Sequence, residues 1–182
     1  IVLGVFMLST LFSVYVINSR LESAKDAKKA VDAFAKRNPR AMMQAGQAAA
    51  QNYYSLDDFG NPVAFFEGMG KLASQNTKGA EDAFNRAIEA HPYHILSNIQ
   101  MGNTLRSLSR FTEAEEYYSK ALTVSPLNEQ ARLNRVEVSL LQNNWQNALR
   151  DLRGLTPNPQ NQRYMNALKQ TLIEYYKNPP LD

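Results

Sequence analysis

Residues 84–145 read FNRAIEAHPYHILSNIQMGNTLRSLSRFTEAEEYYSKALTVSPLNEQARLNRVEVSLLQNNW, and the flanks continue the same pattern. Gly68 recurs as Gly102, Ala80 as Ala114 and Ala148, Phe84 as Tyr118, Ala87 as Ala121, Pro92 as Pro126 and Phe111 as Trp145, each at a step of 34 residues. A period of that length, with small residues, an aromatic and a proline in phase, marks helix pairs stacked in series. Glycine costs about 1 kcal/mol inside a helix. Its return at Gly68 and Gly102 therefore predicts a spot where a side chain would strike the second helix of the pair. Ala80, Ala114 and Ala148 predict close approach from that second helix, with Phe111 and Trp145 beside them. Phe84 and Tyr118 are expected to pack toward the next pair. Pro92 and Pro126 end the second helix, because proline cannot donate to the preceding turn. The third pair is worn: Val136 stands at the glycine phase and Gln160 at the proline phase, with Pro157 and Pro159 nearby.

On these residues the chain resembles an array of tetratricopeptide repeats. The resemblance implies an all-α solenoid with three units over 55–157: Pro62 to about His91, His94 to Ser125, and Glu129 to Leu155. Ser55–Pro62 is a turn-rich break. Thr156–Pro159 separates a last helix, about Gln160–Lys177, within a capping segment over 158–182. Tyr164, Leu168, Leu172 and Tyr175 or Tyr176 form the stripe expected to cover the open end of the stack.

Upstream, residues 1–19 carry no charge. At about 1.5 Å per residue such a helix crosses most of a ~30 Å hydrocarbon core, so a transmembrane helix with its start cut off is expected. A cleaved signal peptide competes, but no initiating methionine, basic leader or small-x-small cleavage site is evident. Arg20, Lys25, Lys28 and Lys29 follow closely and place the rest in the cytoplasm of a bacterial inner-membrane protein. They either touch anionic lipid or form a solvated face. Residues 1–40 hold seven basic and three acidic side chains, a net of +4, and the remainder sums to −1. The repeats are thus not basic, which argues against nucleic acid. Leu21, Ala24, Ala27, Val31 and Phe34 keep helical spacing to Arg37, Asn38-Pro39 breaks it, and Arg40–Tyr53 reads as a second helix. Residues 20–54 are therefore a juxtamembrane hairpin expected to cover the first repeat.

Catalysis finds no foothold here. The chain has no cysteine. His91 and His94 are too few to hold a metal. Asp57-Asp58 reads as a turn, and Glu113, Glu115 and Glu116 as a solvated face. No cofactor, metal or catalytic residue is expected. The concave face is the functional candidate: Phe65, Met69 and Leu72 from the first unit, Ile99, Asn103 and Arg106 from the second, Leu133, Glu137 and Leu141 from the third. Such surfaces hold an extended peptide or a helix. Packing against the 21–53 hairpin is the equal alternative. Chaperone-binding members of the resembled family carry a clamp of lysines, arginine and asparagine. Asn103 and Arg106 are similar to it, whereas Phe65 and Leu133 stand where charge belongs, so no such clamp is expected.

The order of apolar helix, basic helix, Ala-rich helix, NPVAFFEGMG (61–70), AHPYHILSNIQMGNTLRSLSRFTEAEEYYSKALTVSP (90–126) and ARLNRVEVSLLQNNWQNAL (131–149) is informative. It resembles the C-terminal region of Bacteroidetes-type O-antigen ligase or polymerase-like membrane proteins, with HPYH (91–94) and LDDFGNP (56–62) the more telling pieces. Lys71, at a usually apolar repeat position, departs from the pattern. The resemblance implies a parent enzyme that transfers or polymerises undecaprenyl-linked glycan, with catalytic residues on an upstream periplasmic loop and none in this chain. The expectation is a non-catalytic, protein-binding cytoplasmic scaffold. The alternative is a free-standing single-span repeat protein that assembles other proteins, with an exported repeat protein third.

Overall fold

The computed structural model describes the backbone of residues 2–51, 55–57, 59–177 and 179, with side chains from Thr10 onward except that of Gln51. Its helices are α1 (Val2–Ala35), α2 (Pro39–Gln51), α3 (Val63–Ala73), α4 (Thr77–Ala90), α5 (Ile95–Ser107), α6 (Phe111–Val124), α7 (Glu129–Leu141), α8 (Trp145–Arg153) and α9 (Gln162–Lys177). No strand occurs among the described residues; Leu56 and Pro62 form an isolated antiparallel bridge. The expected all-α class is what the chain adopts. Residues 1–92 and 93–182 are two compact units. In the first, α1 packs on α2, α2 on α3, α3 on α4, and α1 touches α3. In the second, each helix from α5 to α9 packs on the next, with α5 touching α7 and α7 touching α9.

One turn builds every helix pair. Gln75, Ser109 and Asn143 adopt φ of 61°, 59° and 58°, one period apart. The next residue donates its N–H five back: Asn76 to Lys71 O, Arg110 to Leu105 O and Asn144 to Ser139 O. This left-handed closure pairs carbonyls the ending helix would leave orphaned. Asn76 and Asn144 then cap the second helix through Gly79 N and Asn147 N. The turn between α1 and α2 is the same device: Arg37 has φ 52°, Asn38 N bonds Ala33 O, and Asn38 caps Ala41 N. The α1–α2 hairpin thus closes with the same turn as the pairs that follow it. Its seam is made of small residues, with Ala27, Ala30 and Ala49 all but fully buried and Ser23 Oγ donating to Ala49 O at 2.7 Å. Glycines bring α2 onto α3: a Cβ on Gly46 would lie 2.8 Å from Glu67 N, and one on Gly70 2.5 Å from Pro39 O.

The periodic glycines meet the second helix as expected, but the partner is a ring. A Cβ on Gly68 would sit 2.5 Å from Phe84 Cε1, and one on Gly102 2.5 Å from Tyr118 Cε1. Phe84 and Tyr118 therefore fill the glycine's gap in their own pair, a role beyond the expected packing toward the next. The third pair is not simply worn. Where glycine becomes Val136, the aromatic one period on from Tyr118 becomes Leu152, and both lie in one buried cluster. Volume has moved from one helix to the other.

Two buried acids lock pairs together. Glu67, 1% exposed, takes Lys71 at 2.6 Å and Arg86 at 2.7 Å and Gln47 at 3.2 Å. This accounts for Lys71 at a usually apolar position. Asp151 receives Arg135 at both oxygens, 2.7 and 2.6 Å. On α9 the inward residues are Tyr164, Ala167 and Thr171, with Leu168 partly buried. Leu172 is exposed, a correction to the expected stripe; of the two tyrosines offered for it, Tyr175 stacks edge-on against Trp145 and Tyr176 is exposed.

Among the described residues no helix is long and apolar enough to cross a membrane, so a transmembrane helix over 1–19 finds no support there. The side chains of residues 2–9 lie outside the described residues, as do Tyr53 and Asp58, the latter half of the Asp57-Asp58 pair. Asp57 closes its turn by accepting from Phe59 N and Asn61 N. Lys25 and Lys29 pair with Glu22 and Asp26; Arg20 and Lys28 are exposed.

Candidate functional site

The first helices of the C-terminal unit, α5 and α7, and the last helix α9 bring polar side chains to one cleft. Its volume is about 510 Å³, and Arg106, Glu137, Leu141, Arg163, Asn166 and Gln170 line it. Helical spacing places an amide behind two of them: Asn103 lies one turn from Arg106 on α5, and the buried Asn134 one turn from Glu137 on α7.

The hydrogen bonds form one chain across these three helices, joined by Tyr118 from α6. Asn103 Oδ1 accepts from Tyr118 Oη at 2.8 Å and from Asn134 Nδ2 at 2.9 Å. Asn134 Oδ1 accepts from Arg163 Nη2 at 2.7 Å. Arg163 Nε donates to Glu137 Oε1 at 2.8 Å, and Arg106 Nη1 donates to Glu137 Oε2. Burial pushes the Tyr118 phenol up to about 12, against the favourable charge of Arg106, so it remains a donor at neutral pH. The ring that fills Gly102 thereby also fixes Asn103. Two guanidiniums face one carboxylate, leaving the cleft net positive and rich in donors. Charge-assisted, planar pairing with a carboxylate is what such a pair offers.

The predicted groove residues divide. Asn103, Arg106 and Glu137 meet in the network, and Leu141 is 54% exposed at its edge. Phe65, Ile99 and Leu133 are buried and have no surface for a ligand. Phe65 belongs to an aromatic cluster with Phe34, Phe66 and Phe84, while Ile99 and Leu133 sit in apolar clusters. Their phase marked the inner helix, but not which side of it faces out. Met69 and Leu72 are half-buried in the N-terminal unit. The sequence reading missed Asn134 and Arg163. Asn134 was visible one turn before Glu137. Arg163 lay on a helix read only as a cap.

His94 caps α5, its Nδ1 accepting from Ser97 N at 3.2 Å. Among the described residues no group of three or more His, Cys, Asp or Glu is placed to hold a metal.

Residues 99–162 match the family described as Tetratricopeptide repeat; they supply Arg106, Glu137 and Leu141 to the cleft, while Arg163, Asn166 and Gln170 follow the matched segment. Over 112 residues it is 33% identical to the Hsp70/Hsp90 co-chaperone CNS1 of Saccharomyces cerevisiae, covering 56% of this chain and 29% of the relative. The chain thus spans under a third of that relative's length. A tetratricopeptide repeat protein from Parabacteroides merdae has the same fold, with TM-score 0.72 and 14% identity over 86% of this chain and 61% of that one. So does the second such domain of human RPAP3, solved with the HSP70 peptide SGPTIEEVD, with TM-score 0.54 and 18% identity over 58% of this chain and 88% of that one.

Proposed function

We propose that this chain is a non-catalytic interaction scaffold whose C-terminal unit holds a short peptide across α5, α7 and α9 and takes a peptide carboxylate at Arg106 and Arg163. The observation that carries this reading is the convergence of two guanidiniums, from α5 and α9, on one open, net-positive cleft, held from behind by the Asn103–Asn134 bond. A relative named as a co-chaperone and a neighbour bound to a peptide ending in acids support it. With apolar Leu133 where a clamp carries charge, the site is a pair of arginines rather than a lysine-bearing clamp. The test is fluorescence polarisation of fluorescein-labelled SGPTIEEVD against the full chain. Binding should weaken as salt rises, and at least tenfold in Arg106→Ala/Arg163→Ala. Undiminished binding by that variant would remove the cleft from the reading.

The membrane setting is proposed with it. Leu11, Phe12, Val14, Tyr15 and Ile17 are each more than 60% exposed and occupy most of the circumference of α1. A helix apolar on nearly all sides needs a nonaqueous neighbour, and the first charge is Arg20. In this reading α1 begins in the inner membrane, and the helix pairs hang in the cytoplasm. They belong to a glycan ligase or polymerase, or to a single-span scaffold. A topology reporter fused after Asp182 should be silent in the periplasm; an active periplasmic signal rejects the orientation. Several apolar spans encoded upstream of Ile1 favour the ligase; a nearby start codon favours the free-standing scaffold.

A further inference from the structure

We propose that Glu137 is a built-in occupant of the cleft: its carboxylate holds Arg106 and Arg163 in the empty protein and must yield them to the carboxylate of an arriving peptide. This rests on the peptide reading above and adds which residue sets the affinity. Glu137 uses one oxygen for each arginine, the arrangement a ligand carboxylate would take. The three side chains are 32%, 26% and 47% exposed, so they border the cleft. The acids that lock the fold differ: the Glu67 and Asp151 side chains are only 2% and 6% exposed. Solvent-bordering ion pairs contribute little to stability, so this one can open without unfolding its helices. Each guanidinium has five donors, and once Glu137 turns away both can grip a new carboxylate side-on. An internal competitor of this kind raises the threshold for binding. A single acid gains little by displacing it, whereas a peptide that also contacts Asn166, Gln170 or Leu141 gains more, which is how selectivity arises.

The experiment titrates fluorescein-labelled SGPTIEEVD into the full chain carrying wild-type Glu137, Glu137→Gln or Glu137→Ala. Both variants should bind about tenfold tighter than wild type. The gain should vanish when Arg163→Gln is added, and for an SGPTIQQVN amide control that has no carboxylate. Thermal midpoints close to wild type confirm intact repeats, and two variants that remove the same carboxylate guard against one that misfolds. If wild type binds but neither variant gains, or both lose affinity, Glu137 is not a competitor, although the peptide reading survives. If no form binds the probe, both proposals fall.

Discussion

Replacing Gly102 by valine puts a branched side chain where a single Cβ would already stand 2.5 Å from Tyr118 Cε1. Ordinary carbon contacts begin near ~3.5 Å, so ring and helix must part by about an ångström. Valine recovers a few tenths of a kcal/mol of helix propensity over glycine, while overpacking costs about 1–3 kcal/mol. The net expectation is a loss of about 1–2 kcal/mol. Tyr118→Leu alone leaves a void and removes the 2.8 Å bond to Asn103, a loss of about 2–3 kcal/mol. The double variant rebuilds the Val136–Leu152 arrangement of the third pair. It should regain about 1–2 kcal/mol over the sum of the singles, within the range of contacting pairs. Urea unfolding followed by far-UV circular dichroism and by Trp145 fluorescence gives all four corners of the cycle. Additivity within about 0.5 kcal/mol, or a Gly102→Val protein as stable as wild type, would refute volume exchange between the two helices.

Two further outcomes follow from the same packing. Burial pushes the Glu67 carboxyl upward, but bonds from Lys71, Arg86 and Gln47 outweigh it, and the group is held below its ordinary 4.5. A depressed carboxylate contributes stability above the unfolded value and loses it as pH falls through the folded one. Stability measured by urea unfolding should therefore decline below that ordinary value, and Glu67→Gln, about 3 kcal/mol weaker at neutral pH, should flatten the decline. Gln75 and Ser109 each hold a left-handed conformation that costs a side chain about 1 kcal/mol relative to glycine; Gln75→Gly and Ser109→Gly should each raise the thermal midpoint, and a lowered midpoint in both would argue against the turn assignment.

Period, glycine phase and proline phase sufficed to read helix pairs, their turns and the collision at Gly68 and Gly102, because backbone geometry repeats wherever the same steric demand repeats. That the α1–α2 turn, closed by Arg37 and Asn38, is the same device was not legible, because it stands out of register with the others and its seam is alanine rather than glycine with a ring. Residue types also pointed to Asn103, Arg106 and Glu137. What periodicity could not say is which side of an inner helix is shut in: Ile99 and Leu133 share the phase of the cleft yet are buried, since the neighbouring helices occlude them. Nor could it join Asn134 and Arg163, 29 residues apart, to the same network. Proximity between helices is set by crossing and tilt, which arise from side-chain volumes summed across an interface, and only the folded chain performs that sum.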